Sequence, residues 1–434
     1  MLRCNSHDQE YLILSTAYSL FLYVLSPFIF LQLWLRGRKT SAYRKRWIER
    51  LGFYQKNIQT DSLIIHCASV GEILAASPLI KQLMDKYPHQ KITITCNTPT
   101  GSEQIVKIFG SAVQHIYLPL DFYGSVKRFL NKLRPSAIVI LETELWPNLI
   151  IQSKRRNLPV LVLNARLSEK SLKGYQLFGS LSRKLMASMT MLAAHNQQDV
   201  DRFKQLGLQD QQSAVVGSIK FDIQLSQQTR DRVQNLKQKL GNYSFIWVAG
   251  STHPGEHEQI IAAYKMLCNT QENCLLIIAP RHPEQFDKAA KLLSEAKVSF
   301  ARWSNNDLTD QSVLLADTMG EMLTFFGVAH CAFIGGSLID RGGHNPLEAA
   351  ALAVPVITGP SYYNFKHVFP QLIAKQACSE VDSPSSLCNQ LTIYARSPEL
   401  AKREGKEAFK IVESNCGAIE KTINILAPYL SKQP

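Results

Sequence analysis

Several junctions in this 434-residue chain put acids, or a lysine, where an apolar run gives way to a helix or a loop. Glu72 ends Ser69-Val70-Gly71-Glu72, just after the run 62–68, and a helical pattern continues from Ile73. In open α/β sheets the carboxyl ends of strands face the ligand crevice. A carboxylate there can answer the dipole of the next helix, or remove a proton from an acceptor hydroxyl; position alone leaves both readings open. Glu142 and Glu144 lie in ETELWPN, after the run 136–141. With period-2 spacing they share a face if both are still extended, and close carboxylates raise one pKa or bind a cation. A turn with solvated acids is the bland alternative. Lys220, in GSIKFD, is placed to meet an anionic substrate, although most lysines are simply on the surface.

A second group of loops suits a nucleotide. FIGGSLIDRGGHNPLE (333–348) reads as a strand end, a glycine-rich loop and a helix opening at Asn345 and Pro346, with Leu347–Leu352 continuing it. Gly335, Gly336, Gly342 and Gly343 allow positive φ and close approach to a ligand. A helix N-terminus suits a phosphate. Glu348 is spaced to close a capping box on Asn345 or to accept from ribose hydroxyls. Pro280-Arg281-His282 ends another strand, and Arg281 can fork onto a phosphate or stack on a base. Asp317-Thr318-Met319-Gly320-Glu321 and Gly250-Ser251-Thr252-His253 are similar loops. Neither GxGxxG nor GxxxxGK[ST] occurs here. A strand, a Gly-rich loop, a helix with an early Glu and another strand is how nucleotide-sugar transferases of the two-Rossmann type hold a donor.

Apolar runs at 62–68, 91–96, 114–118, 136–141, 159–164, 190–195 and 213–217 alternate with amphipathic helical patterns. This is the β-α-β signature of a doubly wound parallel sheet. After the polar stretch 222–242 the pattern restarts at 245–250, 274–279, 313–316, 331–335 and 355–358, and a charged helical tail covers 398–430. Two Rossmann-like halves follow, with a ligand expected in the cleft between them.

Residues 11–35 carry no charge and are long enough to cross a bilayer. Arg36, Arg38, Lys39, Arg44, Lys45 and Arg46 follow, with only Arg3 before, which puts the remainder in the cytoplasm by the positive-inside rule. Basic residues behind the segment, without a small-residue cleavage site, argue against a signal peptide. Pro27 and interspersed polar residues leave a tilted, kinked or monotopic insertion open. Net charge is +13, which favours an anionic partner, and no basic run with interleaved aromatics points to nucleic acid. The 9 cysteines are scattered without CxxC or zinc spacing, as in a reducing compartment; Cys67, Cys96 and Cys331 read as small core residues. Asp199-Val200-Asp201 matches a metal-holding DxD but falls early in an amphipathic helix, so it reads as structural and no metal is expected.

RGRKTSAYRKRW, ASVGE, TPTGSE, LETELWPN, NARLS, GSIKFD, STHPGE, PRHPE, DTMGE and GGSLIDRGGHNPLEAA occur in that order through nearly the whole chain. With the anchor before them, they resemble the 3-deoxy-D-manno-octulosonic acid (Kdo) transferases of Gram-negative lipopolysaccharide assembly. The resemblance implies an α/β GT-B fold, with two Rossmann-like domains facing a cleft and an N-terminal membrane-anchor helix. The expected division is 1–50 for the anchor and basic flank, 51–225 for an acceptor domain and 226–434 for a CMP-sugar donor domain. The implied reaction transfers Kdo from CMP-Kdo to a lipid A precursor (lipid IVA) with inversion, on the cytoplasmic side of the inner membrane and with no cofactor. By family role Glu72 matches the catalytic base, and Glu142 and Lys220 match residues supporting the transition state. Pro280, Arg281, Met319, Gly320, Glu321, Asn345, Pro346, Leu347 and Glu348 match the CMP-binding segments. A soluble epimerase acting on a UDP-sugar and a non-catalytic lipid-binding scaffold are the readings of other classes; the uncharged N-terminal segment argues against the first. Glu72, Arg281 and Glu348 occurring together argue against the second.

Overall fold

The structure, a computed structural model, describes residues 6–305 and 311–430; Arg3 lies outside the described residues. The chain forms two compact units, one of residues up to Ile219 joined by those from Cys416 onward, the other Lys220–Asn415.

The first unit is built on β1 (Leu63–His66), β2 (Ile92–Cys96), β3 (Gln114–Tyr117), β4 (Ala137–Leu141), β5 (Val160–Ala165), β6 (Met191–Ala194) and β7 (Ser213–Val215). These pair in parallel in the order β3-β2-β1-β4-β5-β6-β7. β1, β2, β4 and β5 are buried along their whole length, as expected for a parallel sheet covered by helices on both faces. Leu63, Ile65 and Val139 point into one core, and Ile64, Ile138 and Ile140 into the other, following the period-2 alternation of a strand.

The second unit repeats the plan with β8 (Phe245–Thr252), β9 (Cys274–Pro280), β10 (Phe300–Arg302), β11 (Val313–Leu315), β12 (Cys331–Ile334), β13 (Val356–Thr358) and β14 (Cys378–Glu380), ordered β10-β11-β9-β8-β12-β13-β14. The edge strands β10 (Phe300–Arg302) and β14 (Cys378–Glu380) are short and mix charged or polar residues with apolar ones, so they leave no apolar run in the sequence. The polar stretch before β8 holds a helix, Gln227–Lys239. The second domain was expected to run to residue 434. The tail is instead split at Gly417 into helices Pro398–Asn415 and Ala418–Leu426, and Ile419, Ile423 and Leu426 pack into the core of the first unit.

The N-terminal segment forms one continuous helix, Ser6–Lys39, with Pro27 inside it. Thr16–Arg38 is apolar and long enough to cross a membrane by length and composition. It is also laid against the first unit. Tyr18 donates to Asp121 (3.1 Å), Ser19 donates to the Asn148 side chain (3.1 Å), and Tyr23 stacks on Phe122 at 5.1 Å. Asp121 also accepts from the backbone N–H groups of Asn148 and Leu149, both at 2.9 Å, and so caps the helix Pro147–Lys154 that follows ETELW. The opposite side of the N-terminal helix exposes Leu20, Phe21, Val24, Phe28, Leu31 and Leu35.

Candidate active site

β1 and β4 are neighbours at the point where strand order reverses in the first sheet, so the loops after them flank its switch point. Glu72 lies in the first turn of the helix Val70–Lys86 that follows β1. Ser69 is its N-cap and accepts from the Glu72 N–H at 3.3 Å. The Glu72 carboxylate reaches back, taking the Ser69 hydroxyl and the Ala68 N–H, each at 2.8 Å. This is capping geometry, and it also immobilises the carboxylate. At 9% exposure, burial pushes the Glu72 carboxyl up to about 7, against the opposing pull of Ser69 and Ala68. The charges of Glu142 and Glu144 push in the same direction as burial. Three carboxyls therefore gather at the ends of β1 and β4, and Glu144 is itself raised by burial and by Glu142.

Glu142 and Glu144 do not share the face of an extended strand. β4 ends at Leu141, and Glu142 takes a left-handed conformation with φ 58°. A non-glycine residue held there costs about 1–2 kcal/mol, so the surroundings must impose it. The Glu142 N–H donates to Leu163 O at 2.8 Å. Thr143 Oγ1 donates to Arg166 O and accepts from the Arg166 N–H. The segment NARLS thus braces the acidic loop. Its Asn164, also left-handed at φ 54°, accepts from His195 Nε2 (2.7 Å) and from the Ile219 N–H (3.2 Å). That fixes the residue before Lys220, which is half-buried at a 3-10 turn.

In the second unit Pro280, Arg281, Met319, Gly320, Glu321 and Ser251 line one pocket. The Arg281 backbone N–H donates to Thr252 O at 2.9 Å, while its guanidinium has no hydrogen-bond or ion-pair partner among the described residues. The Glu321 carboxylate is already engaged: it accepts from Trp303 Nε1 at 2.6 Å, from Thr318 Oγ1 and from Arg232 at 3.3 Å. It shapes the loop and leaves Gly320, at φ 90°, and the exposed Met319 at the lining of the pocket. Burial raises the Glu348 carboxyl, opposed by the charge of Arg281 and by the Asn345 side chain, so all three belong to one cluster.

Two expectations for the glycine-rich loop are corrected. The helix begins one residue late, at Leu347, and ends at Ala350; Asn345 caps it through the Leu347 N–H at 3.1 Å. One turn has almost no dipole to offer a phosphate. The Gly336, Ser337 and Leu338 N–H groups, the natural anion nest of the loop, are filled by Glu256, which accepts from them at 2.7, 3.0 and 3.0 Å and from the His253 N–H at 3.1 Å. Glu256 is 0% exposed. In STHPGE it looks like any acid at a helix start, so the sequence carries no sign of this role. Gly335 serves close packing, since a Cβ there would sit 2.5 Å from Ser251 O. Asp199 accepts from the Leu167 N–H at 2.9 Å and pairs with Arg202 at 3.6 Å, a structural role within its helix.

Residues 45–223 match the family described as 3-deoxy-D-manno-octulosonic-acid transferase (kdotransferase). The 3-deoxy-D-manno-octulosonic acid transferase of Haemophilus influenzae is 38% identical over 420 residues, 96% of this chain and 98% of the relative. That of Bordetella pertussis is 30% identical over 95% of this chain and 99% of its own. Among solved structures, a UDP-GlcNAc 2-epimerase from Neisseria meningitidis superposes with a TM-score of 0.56 at 14% identity, over 85% of this chain and all of that one, a likeness of GT-B fold alone. Matched over nearly its whole length to relatives of one activity, the chain belongs to the 3-deoxy-D-manno-octulosonic acid (Kdo) transferase family of glycosyltransferases.

Proposed function

We propose that this protein transfers Kdo from CMP-Kdo to a phosphorylated lipid A precursor, lipid IVA, with inversion at the anomeric carbon. The observation that carries the reading is Glu72: a buried, immobilised carboxyl raised to about 7 at the switch point of a Rossmann sheet. A general base works best with a pKa near the operating pH. The ionised Glu72 takes the proton of the acceptor hydroxyl as its oxygen bonds to the anomeric carbon. The bond from that carbon to the phosphate oxygen breaks, and its electron pair leaves on CMP. Glu142 and Lys220 support the charge that develops. In the second unit, Arg281 meets the single phosphate, Glu348 the ribose hydroxyls, and Met319 and Gly320 line the nucleotide pocket with Pro280.

The N-terminal helix anchors the enzyme to the cytoplasmic face of the inner membrane. Its polar contacts to Asp121 and Asn148 favour a helix lying in the interface, apolar side into lipid, over one crossing alone. The helix Gly179–Ser188, which also packs on it, starts just after the exposed Leu177 and Phe178, a second apolar point for the same lipid surface. CMP release tests the reaction class: it should require both CMP-Kdo and the lipid precursor. Release from UDP-sugars, or from CMP-Kdo at the same rate without acceptor, would overturn the reading.

A further inference from the structure

β8 and β12 flank the switch point of the second sheet, and each loop beyond them contributes a histidine. His253 Nε2 and His344 Nε2 lie 2.7 Å apart. The ring centroids are 5.0 Å apart with planes 15° off parallel, so the imidazoles meet edge to edge through those nitrogens. An N···N contact this short needs one shared proton. In the neutral pair one ring donates from Nε2 and its own Nδ1 is a bare acceptor. Neither Nδ1 has a hydrogen-bond partner among the described residues. Gly336 makes room for the pair, since a Cβ there would come within 3.1 Å of the His344 ring.

Around the pair stand Arg281, Arg341, His282 and His257. The His282 ring meets His253 edge-on at 5.7 Å. The Glu256 carboxylate, which accepts from the His253 N–H, is taken up by backbone N–H groups. Burial, with the positive charge of Arg281 and Arg341, holds His253 down to about 4, and burial with Arg281 holds His344 down to about 3, so the free protein keeps the pair neutral. An anion seated beside Arg281 and Arg341 reverses that balance.

We infer that the His253–His344 pair is a proton-accepting part of the donor subsite, which takes up one proton when the CMP phosphate binds and then presents a charged N–H to it. This rests on the second unit being the CMP site. The group is specific to phosphate-bearing ligands, because a nucleoside brings no charge to offset the added proton.

The test is calorimetry of CMP and of cytidine binding at pH 7.5, in buffers of different ionisation enthalpy. CMP is then almost wholly dianionic, its second pKa being about 6, and a site lined by Arg281 and Arg341 favours the dianion, so the phosphate's own ionisation adds almost nothing to the proton count. The expected result is uptake close to one proton with CMP and none with cytidine, and CMP affinity falling up to tenfold per pH unit as pH rises. His253→Asn and His344→Asn should each lose the uptake, flatten the pH dependence and weaken CMP roughly tenfold or more. CMP binding without proton uptake in the unaltered protein overturns the inference and leaves the donor site standing, whether or not the variants fold. Uptake that persists in both folded variants overturns it too. No CMP binding at all removes the donor site itself, and the inference with it.

Discussion

Glu72→Gln separates two roles that the geometry combines. Glutamine keeps the length of the side chain and an oxygen to accept from Ala68, and its amide can donate to Ser69, so the helix cap survives. It cannot take a proton. Loss of a positioned base lowers turnover by about 10²–10⁴. The stability effect has the opposite sign to the loss of a simple cap. The Glu72 carboxyl is raised from 4.5 to about 7, so its contribution to stability is complete below its unfolded value and is lost as pH rises through 7. The difference corresponds to at most roughly 3 kcal/mol against the ionised form at pH 8. Glu72→Gln should therefore melt no lower than the parent at pH 8 and gain relative to it between pH 6 and 8. Turnover and melting are read on one purified preparation, with CMP affinity by calorimetry as a control on folding. The parent kcat/KM should fall about tenfold per unit below pH 7 as the base protonates. A variant with near-normal turnover and a melting temperature lowered at all pH values would show that Glu72 is a cap alone, and would move the base to Glu144 or Glu142.

Three further outcomes follow from particular contacts. Arg281→Ala and Glu348→Ala should each weaken CMP tenfold to a hundredfold, the loss of about 1.5–3 kcal/mol of charged hydrogen bonding; parental affinity in both would remove them from the site. Glu256→Ala leaves the amides of Gly336, Ser337 and Leu338 without their partner and should cost at least about 3 kcal/mol in urea unfolding, with a change under 1 kcal/mol refuting the nest assignment. Deleting residues 1–35 should release much of the protein from membranes while CMP binding survives. It should also cost about 1 kcal/mol or more, because Asp121 and Asn148 lose Tyr18 and Ser19; retention through salt and alkaline washes would contradict the anchor.

The doubly wound sheets were legible in the sequence because buried parallel strands are continuous apolar runs, and each long strand appears as one. The edges β10 and β14, which end in Arg302 and Glu380, have no such run. The amphipathic pattern of Ala418–Leu426 announces a buried face but not its partner, so its return to the first unit was hidden. The acids at the strand ends were visible as residues. What was hidden was backbone conformation and competition: the left-handed turn at Glu142 splits the expected pair of faces, and Glu256 occupies the amides that the glycine-rich loop was expected to offer a phosphate. The two histidines are 91 residues apart, and only the pairing of β8 with β12 brings their loops together.

The most direct test of the account is the product itself. Purified protein, CMP-Kdo and lipid IVA are incubated in detergent, the lipid is weighed by mass spectrometry, and its new glycosidic bond is assigned by NMR. The account predicts a mass gain of one or more whole Kdo residues, one CMP released per residue, and an anomeric configuration opposite to that of the donor. Lipid that gains no Kdo, or gains it with the donor's configuration retained, would contradict a direct displacement driven by Glu72.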